Sequence, residues 1–317
     1  MPVSQGPPEG RVIGAKALRS WTADLVETLG TPDDIAADVA EVLVASDLRG
    51  IASHGTARLP QSVKLVEAGV MDPAARPIHE KGKAALARFD ARNGWGHHAA
   101  RIAIDDAIAR ARDVGAAISV VRNTNHFGIA GWYAMRAADE GFIGVSLTNA
   151  SPVVAPTRAR VALLGANPIA VAAPAGRYGM LVLDMATATI PRYGLALVVE
   201  LLTGILGDAA FGPNIVSLFS TEGKSDLGQF FMAIDPGVVD GPASFTARLE
   251  KLIDQLTSAP LAADATGPVL YAGQIEAERA AHQSKHGIVL ERDHHDALVE
   301  LGSRLGVAFP STRPAER

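Results

Sequence analysis

The sequence predicts an α/β chain of mixed α+β character, with a central mixed sheet flanked by helices. Three observations carry this. From Ala117 onward, short apolar runs alternate with segments of helical periodicity. Several of those runs, such as Leu181-Val182-Leu183, are continuously apolar, the pattern of strands buried on both faces. Before them, two amphipathic segments read as helices with no strand between.

The elements follow in order. MPVSQGPPEGRVIG has no apolar stretch that would make it a signal peptide and reads as a loose arm. Ala15–Leu29 has apolar residues at helical spacing and stops at Gly30. Thr31 is placed as the N-cap of a second helix, with Pro32 at its first position and Asp33 and Asp34 at the positive end of its dipole, running to about Leu48. After the turn Ile51–Gly55 a third helix is expected from about Thr56 to Glu67, with Pro60 tolerable only in its first turn. Strands are expected at Ala85–Asp90, Ala117–Val121, Phe142–Thr148, Ile169–Ala173, Leu181–Asp184 and Gln229–Asp235. Helices are expected at Gly96–Val114, Gly128–Gly141, Tyr193–Leu206 and Pro242–Ser258. Residues 1–75 and 240–317 are expected to pack together around a central sheet domain of residues 76–239.

Composition narrows the function classes. The 317 residues carry a formal net charge of -5 and no basic stripe, which argues against nucleic acid as a partner. The absence of cysteine excludes disulfides and thiolate metal sites. The most apolar stretch, Tyr193–Leu206, is interrupted by Glu200 and Gly204 and is too short to span a bilayer, so no membrane association and a cytoplasmic location are expected. His97-His98 and His294-His295 are adjacent pairs whose side chains do not share a helix face, and they read as surface residues; no metal site is expected.

Two constellations can carry chemistry. In Ser53-His54-Gly55-Thr56-Ala57-Arg58-Leu59-Pro60, a helix starting near Ser53 would set His54 and Arg58 one turn apart. An arginine can grip a carboxylate through two parallel hydrogen bonds, and a histidine can exchange a proton with a keto or hydroxyl oxygen near neutrality. The same residues also suit a capped turn with a solvated arginine. In Arg122–Gly128, His126 follows an apolar strand and precedes a helix, where ligand sites gather; a polar loop with a capping Asn is the equal alternative. Asp184, closing a strand in Leu-Asp-Met-Ala-Thr, needs partners: main-chain N–H groups, a cap, or a cofactor.

The motifs in order are Ser-His-Gly-x-x-Arg-Leu-Pro, Asn-His-Phe-Gly, Thr-Asn-Ala-Ser-Pro, Leu-Leu-Gly-x-Asn-Pro-Ile-Ala, Leu-Asp-Met-Ala-Thr, Tyr-Gly-Leu-Ala-Leu, Ala-Ala-Phe-Gly and Gly-Gln-Phe-Phe-Met-Ala-Ile-Asp. From about Leu18 to Val307 this series resembles the malate/L-lactate dehydrogenase family, nicotinamide-dependent oxidoreductases of small 2-hydroxy and 2-keto acids. The resemblance implies the family's own fold, not a Rossmann fold, and no Gly-x-Gly-x-x-Gly fingerprint is present. It implies NAD or NADP as cofactor, a small acid as substrate and an intertwined homodimer. It assigns acid/base chemistry to His54 and substrate contacts to Ser53, Arg58, His126 and Asn149. To the cofactor it assigns His126, the segment Met180, Leu181, Val182, Leu183, Asp184, Met185 and Ala186, and Gly273.

Departures from the family pattern gather on the cofactor side. The family's long excursion after the Asp-Met segment, ending in Gly-His-Lys-Gly-Tyr-Gly-Leu, is missing. Ala188-Thr189-Ile190-Pro191-Arg192 leads straight into Tyr193-Gly194-Leu195, and only Arg192 stands near the absent lysine. Arg158 replaces a usual glycine and Gln274 a usual acid. Two function classes follow: a reductase with a trimmed, weakened cofactor site, or a non-catalytic relative that binds a small acid or serves as a dimer subunit.

Overall fold

The computed structural model describes residues 10–187 and 193–315. By its internal contacts the chain divides into two units, one taking Met1–Ala74 and Glu276–Arg317, the other Ala75–Ile275.

The terminal unit holds β1 (Gly10–Ile13), α1 (Ala15–Glu27), α2 (Asp33–Leu48) and α3 (Leu59–Glu67) from the first part of the chain. Gly10–Ile13, expected as part of a loose arm, is a strand. Its Val12 and Ile13 are buried, and it pairs antiparallel with Ile288–Glu291 and with Arg313–Pro314. Helix α2 starts one residue later than expected: Pro32 is its N-cap, and the Pro32 carbonyl accepts the Ala36 N–H. Between α2 and α3 the backbone makes two 3-10 turns, Ala52–His54 and Thr56–Arg58, so the helix foreseen from Thr56 begins at Leu59 with Pro60 in its first turn.

The sheet unit begins with β2 (Ile78–Lys83), β3 (Leu86–Asp90) and α4 (Gly96–Val114). Helix α4 ends as expected at Gly115, which adopts the left-handed conformation that suits a residue without Cβ. Then come β4 (Ala116–Thr124), α5 (Ala130–Asp139), β5 (Ile143–Thr148), β6 (Ile169–Pro174), β7 (Met180–Met185) and α6 (Tyr193–Glu200). A π-helical turn, Leu201–Ile205, extends α6, and β8 (Leu227–Ile234), α7 (Gly237–Asp240) and α8 (Pro242–Thr257) follow. The chain closes with α9 (Gln274–His286), β9 (Ile288–Glu291), α10 (Arg292–Leu305) and β10 (Arg313–Pro314). Helix α8 belongs with the sheet, against the expected boundary at 240: Arg177, just before β7, bonds Glu250 and Asp254 of this helix.

The sheet has seven strands in the order β2-β3-β4-β8-β5-β6-β7, parallel only between β3 and β4. One face is sealed by α4 and α5. Ser119 of β4 bonds Asp106 of α4, and Gly144 of β5 lies directly under the Ala134 carbonyl of α5. Across the other face Val120, Phe230 and Leu147 pack with Val199 and Leu202 of the α6 segment. The neighbouring row Leu86, Ile118, Met232, Val145, Val171 and Leu183 is only partly covered. Strand β7 is an edge strand and Leu183 is 38% exposed, so continuous apolarity here does not mean burial on both faces.

Candidate functional site

The Ser53–Pro60 turn is fastened to α2 from below. Asp47, in the last turn of α2, is buried, and its Oδ2 accepts both the main-chain N–H of Thr56 at 3.0 Å and the Thr56 hydroxyl at 2.6 Å. Gly55 has no side chain because Asp47 fills the space: a Cβ there would stand 1.9 Å from Asp47 Oδ1. On top of this anchor, Ser53 Oγ lies 2.9 Å from His54 Nδ1, and Arg58 Nε donates to the Ser53 carbonyl at 2.6 Å. The three residues are thus brought together by two 3-10 turns, not by one face of an α-helix as the spacing predicts.

Burial holds the His54 pKa below its ordinary value, and the positive charge of Arg58 adds to the effect. Burial also lowers the pKa of Arg58. The Ser53 hydroxyl can donate to Nδ1 or accept from it, so it serves both protonation states of His54. The arrangement suits one carboxylate on the guanidinium and one proton exchanged with the imidazole.

Beneath the turn, Thr56 Oγ1 also lies 3.0 Å from His294 Nε2 of α10. Burial pushes His294 down to about 4 and Asp47 up to about 7. Gln283 of α9 donates to the carbonyls of Asp47 and Leu48. Sequence reasoning missed Asp47, Gln283 and His294, since no local spacing links residue 47 to residue 294. His294 is not the surface residue expected; neither are His97 and His98, which are buried, nor His295, which is half-buried.

In the sheet unit, Met180–Met185 is the outermost strand, and the loop before α9 rests on it. Val182 donates its N–H to the Ala272 carbonyl, and a Cβ on Gly273 would stand 2.7 Å from that of Val182. With φ of +88°, Gly273 is also in a conformation that other residues resist. Asp184 is exposed at the sheet edge, not at the end of a buried strand. Its Oδ2 accepts the Gly131 N–H in the first turn of α5, at 2.8 Å. Met185 and Ala186 continue the segment, and the Ala188–Arg192 link lies outside the described residues. His126 is half-buried. Its Nδ1 accepts the Gly128 N–H, and its ring meets that of His97 edge-on at 6.0 Å between centroids.

Asn149 is a different matter. It is fully buried and its amide is spent inside the protein: Oδ1 accepts from Gly228, and Nδ2 donates to Glu200 and to the Ala210 carbonyl. Its place is structural, in a buried network that Glu200 shares with Asn167. Arg122 is likewise committed, to Glu80 and Asp90.

A nicotinamide nucleotide needs a surface for its rings and cations or clustered N–H groups for its phosphates. Strand β7 and the Gly273 loop offer the first, with Leu183 facing outward. For the second, two of the described groups beside them are engaged elsewhere. Arg177 is held by Glu250 and Asp254, and the first turn of α5 is closed by Asp184. Arg158 has φ of +70°, the left-handed conformation that a glycine would take without strain. Among the described residues no group of three or more His, Cys, Asp and Glu side chains is arranged to hold a metal ion, and no helix is long and apolar enough to cross a membrane.

The family pattern described as malate/L-lactate dehydrogenase matches residues 13–192 and 193–299. An L-sulfolactate dehydrogenase of Methanocaldococcus jannaschii is 30% identical over 90% of this chain and 94% of its own. A malate dehydrogenase of Pyrococcus abyssi is 31% identical over 92% of this chain and 94% of its own. Among solved structures, malate dehydrogenase from Pyrococcus horikoshii superposes with a TM-score of 0.91 at 29% identity, covering 96% of this chain and 99% of that one. The sequence pattern and the shared architecture agree: this chain belongs to the malate/L-lactate dehydrogenase family.

Proposed function

We propose that the protein is a nicotinamide-dependent oxidoreductase of small 2-hydroxy and 2-keto acids with a weakened hold on its cofactor. The observation that carries this reading is the Ser53–His54–Arg58 cluster on its buried Asp47 anchor. Arg58 takes the substrate carboxylate. His54 receives the hydroxyl proton during oxidation and returns it during reduction. A bound carboxylate offsets the Arg58 charge and so raises the His54 pKa toward its ordinary range, which readies the acid form for reduction. Hydride exchange at the neighbouring carbon is the chemistry that NAD or NADP supplies when bound. His126 is kept as a proposed substrate contact; Asn149, with its amide spent in the core, is left out.

The weakened cofactor side is supported by the committed Arg177, the strained Arg158 and the absent lysine, and the break of the family match between 192 and 193 agrees with a missing excursion there. These same observations favour a second reading, a non-catalytic relative that keeps the acid-binding turn. A homodimer, and a cytoplasmic setting for a chain without cysteine, belong to the proposal. The partly covered sheet row and the exposed Leu197, Val198, Leu201 and Ile205 support the dimer.

NAD(P)H fluorescence titration decides between the readings, with a panel of 2-keto acids assayed beside a chain carrying a family-type excursion between Ile190 and Tyr193. Weak binding and slow turnover in the native chain, both improved by the insertion, are expected. No nucleotide binding by either chain selects the non-catalytic reading. Tight binding and ordinary turnover by the native chain refute the weakened site.

A further inference from the structure

We propose that Asp47 is a positioning residue for the acid-binding turn: it grips Thr56 and fills the space beside Gly55, so that it sets where His54 and Arg58 stand, while His294 completes the grip from the far side of Thr56. The inference rests on reading that turn as the acid-binding site.

The geometry is specific to these groups. Asp47 Oδ2 takes two hydrogen bonds from one residue, Thr56, through its main chain and its hydroxyl. Its Oδ1 is buried against Gly55 and accepts no hydrogen bond among the described residues. Any movement of the carboxylate therefore moves Gly55 and Thr56, and His54 and Arg58 flank those two positions. Thr56 has a single hydroxyl proton. With Asp47 ionised, that proton goes to Oδ2 and His294 Nε2 must donate to the hydroxyl oxygen. With Asp47 protonated, the hydroxyl is free to turn and donate to His294. Titration of one buried carboxyl thus reverses the direction of the bond chain under the turn. His54 and Arg58 flank Gly55 and Thr56 in the turn, and the charge of His295 on α10 acts on His294. From α9, Gln283 binds the Asp47 carbonyl and Arg279 lies over Gly50. Burial raises Asp47 to about 7 and lowers His294 to about 4, which places the reversal near neutrality with His294 uncharged.

The test follows the His54 ring by NMR across pH, its signal assigned by loss in His54→Gln, in the wild type, Asp47→Asn, Thr56→Val and Thr56→Ser. Oxamate binding is measured by calorimetry on the same proteins. The wild-type His54 signal is expected to show, besides its own titration, a second inflection near pH 7 that Asp47→Asn abolishes. Thr56→Val should displace the His54 signal and weaken oxamate by roughly tenfold or more, the size of one lost charge-assisted bond, and Thr56→Ser should restore both to within about threefold. An unchanged His54 titration in folded Asp47→Asn and Thr56→Val overturns the proposal. Should Asp47→Asn fail to fold, the Thr56 pair decides alone. Failure of the wild type to bind oxamate would count against the acid-binding reading, while the His54 titration would still decide the role of Asp47.

Discussion

Asp184 Oδ2 accepts the main-chain N–H of Gly131 at 2.8 Å and so ties the outermost strand of the large sheet to the first turn of α5. Gly131 permits the approach, since a Cβ there would stand 2.7 Å from that oxygen. A carboxylate at a helix start satisfies an orphan donor and opposes the helix dipole, so Asp184→Ala should lower the unfolding free energy by about 1 kcal/mol. Asp184→Asn, which keeps an acceptor, should lose less. Urea denaturation of the three proteins checks the order, and an Asp184→Ala protein as stable as the wild type contradicts it.

If the chain is active, His54→Ala should lower turnover by roughly a hundredfold or more, the usual share of a general acid/base. Arg58→Lys should raise KM for a keto acid despite keeping its charge, because the two-pronged grip is lost. Arg58→Gln should also move the His54 pKa upward, since it removes the charge that helps depress it. Steady-state kinetics and the His54 titration read all three effects.

Burial makes the folded protein bind the Asp47 proton more tightly than the unfolded chain does. That contribution to stability is full below the ordinary value of 3.8 and is lost as pH rises toward about 7. His294 runs the other way: its contribution is full above 6.5 and is lost as pH falls through about 4. Between those limits the two slopes oppose each other. His294→Gln should therefore leave a protein whose stability falls as pH rises from 4 to 7, by up to about 1.4 kcal/mol per pH unit. Asp47→Asn should show the reverse trend up to pH 6.5. Denaturation midpoints across this range are the measurement, and a His294→Gln profile parallel to the wild type is the failing result.

Arg158 holds φ of +70° in an exposed turn. Arg158→Gly should relieve the left-handed strain and, after the extra entropy of an unfolded glycine, stabilise the protein by up to about 1 kcal/mol. A lower melting temperature for the glycine variant would show that the side chain makes a compensating contact.

Light scattering at micromolar concentration should report a dimer mass. Leu201→Glu, which puts a charge on a residue 55% exposed on the α6 extension, should shift it toward the monomer without unfolding the chain. A wild-type monomer sinks the dimer proposal.

The large elements were legible because each has one dominant pattern. Helix α4 matches its predicted span, as Gly115 gives it an unambiguous stop. Patterning failed where burial and apolarity part company. Val182 is buried while Leu183 beside it is open, because sheet order, not composition, makes β7 an edge. His54 and Arg58 were visible as a chemical pair, but the spacing argument assumed one helix where Gly55 breaks the path into two turns. Asn149 was named by resemblance alone, and only its three bonds reveal a structural amide. The Asp47–Thr56–His294 chain lay beyond any local reading: His294 is far in sequence from the other two, and a buried aspartate looks like any acid near a helix end.

The position of β7 has an evolutionary corollary. A strand at the hem of a sheet has β6 as its one strand neighbour, so a change of chain length beyond Thr187, which bonds the Ala166 and Asn167 carbonyls, leaves the pairing of β6 with β7 intact. Lineages can trim or lengthen such a margin while the framework keeps its register, as a garment is altered at its border.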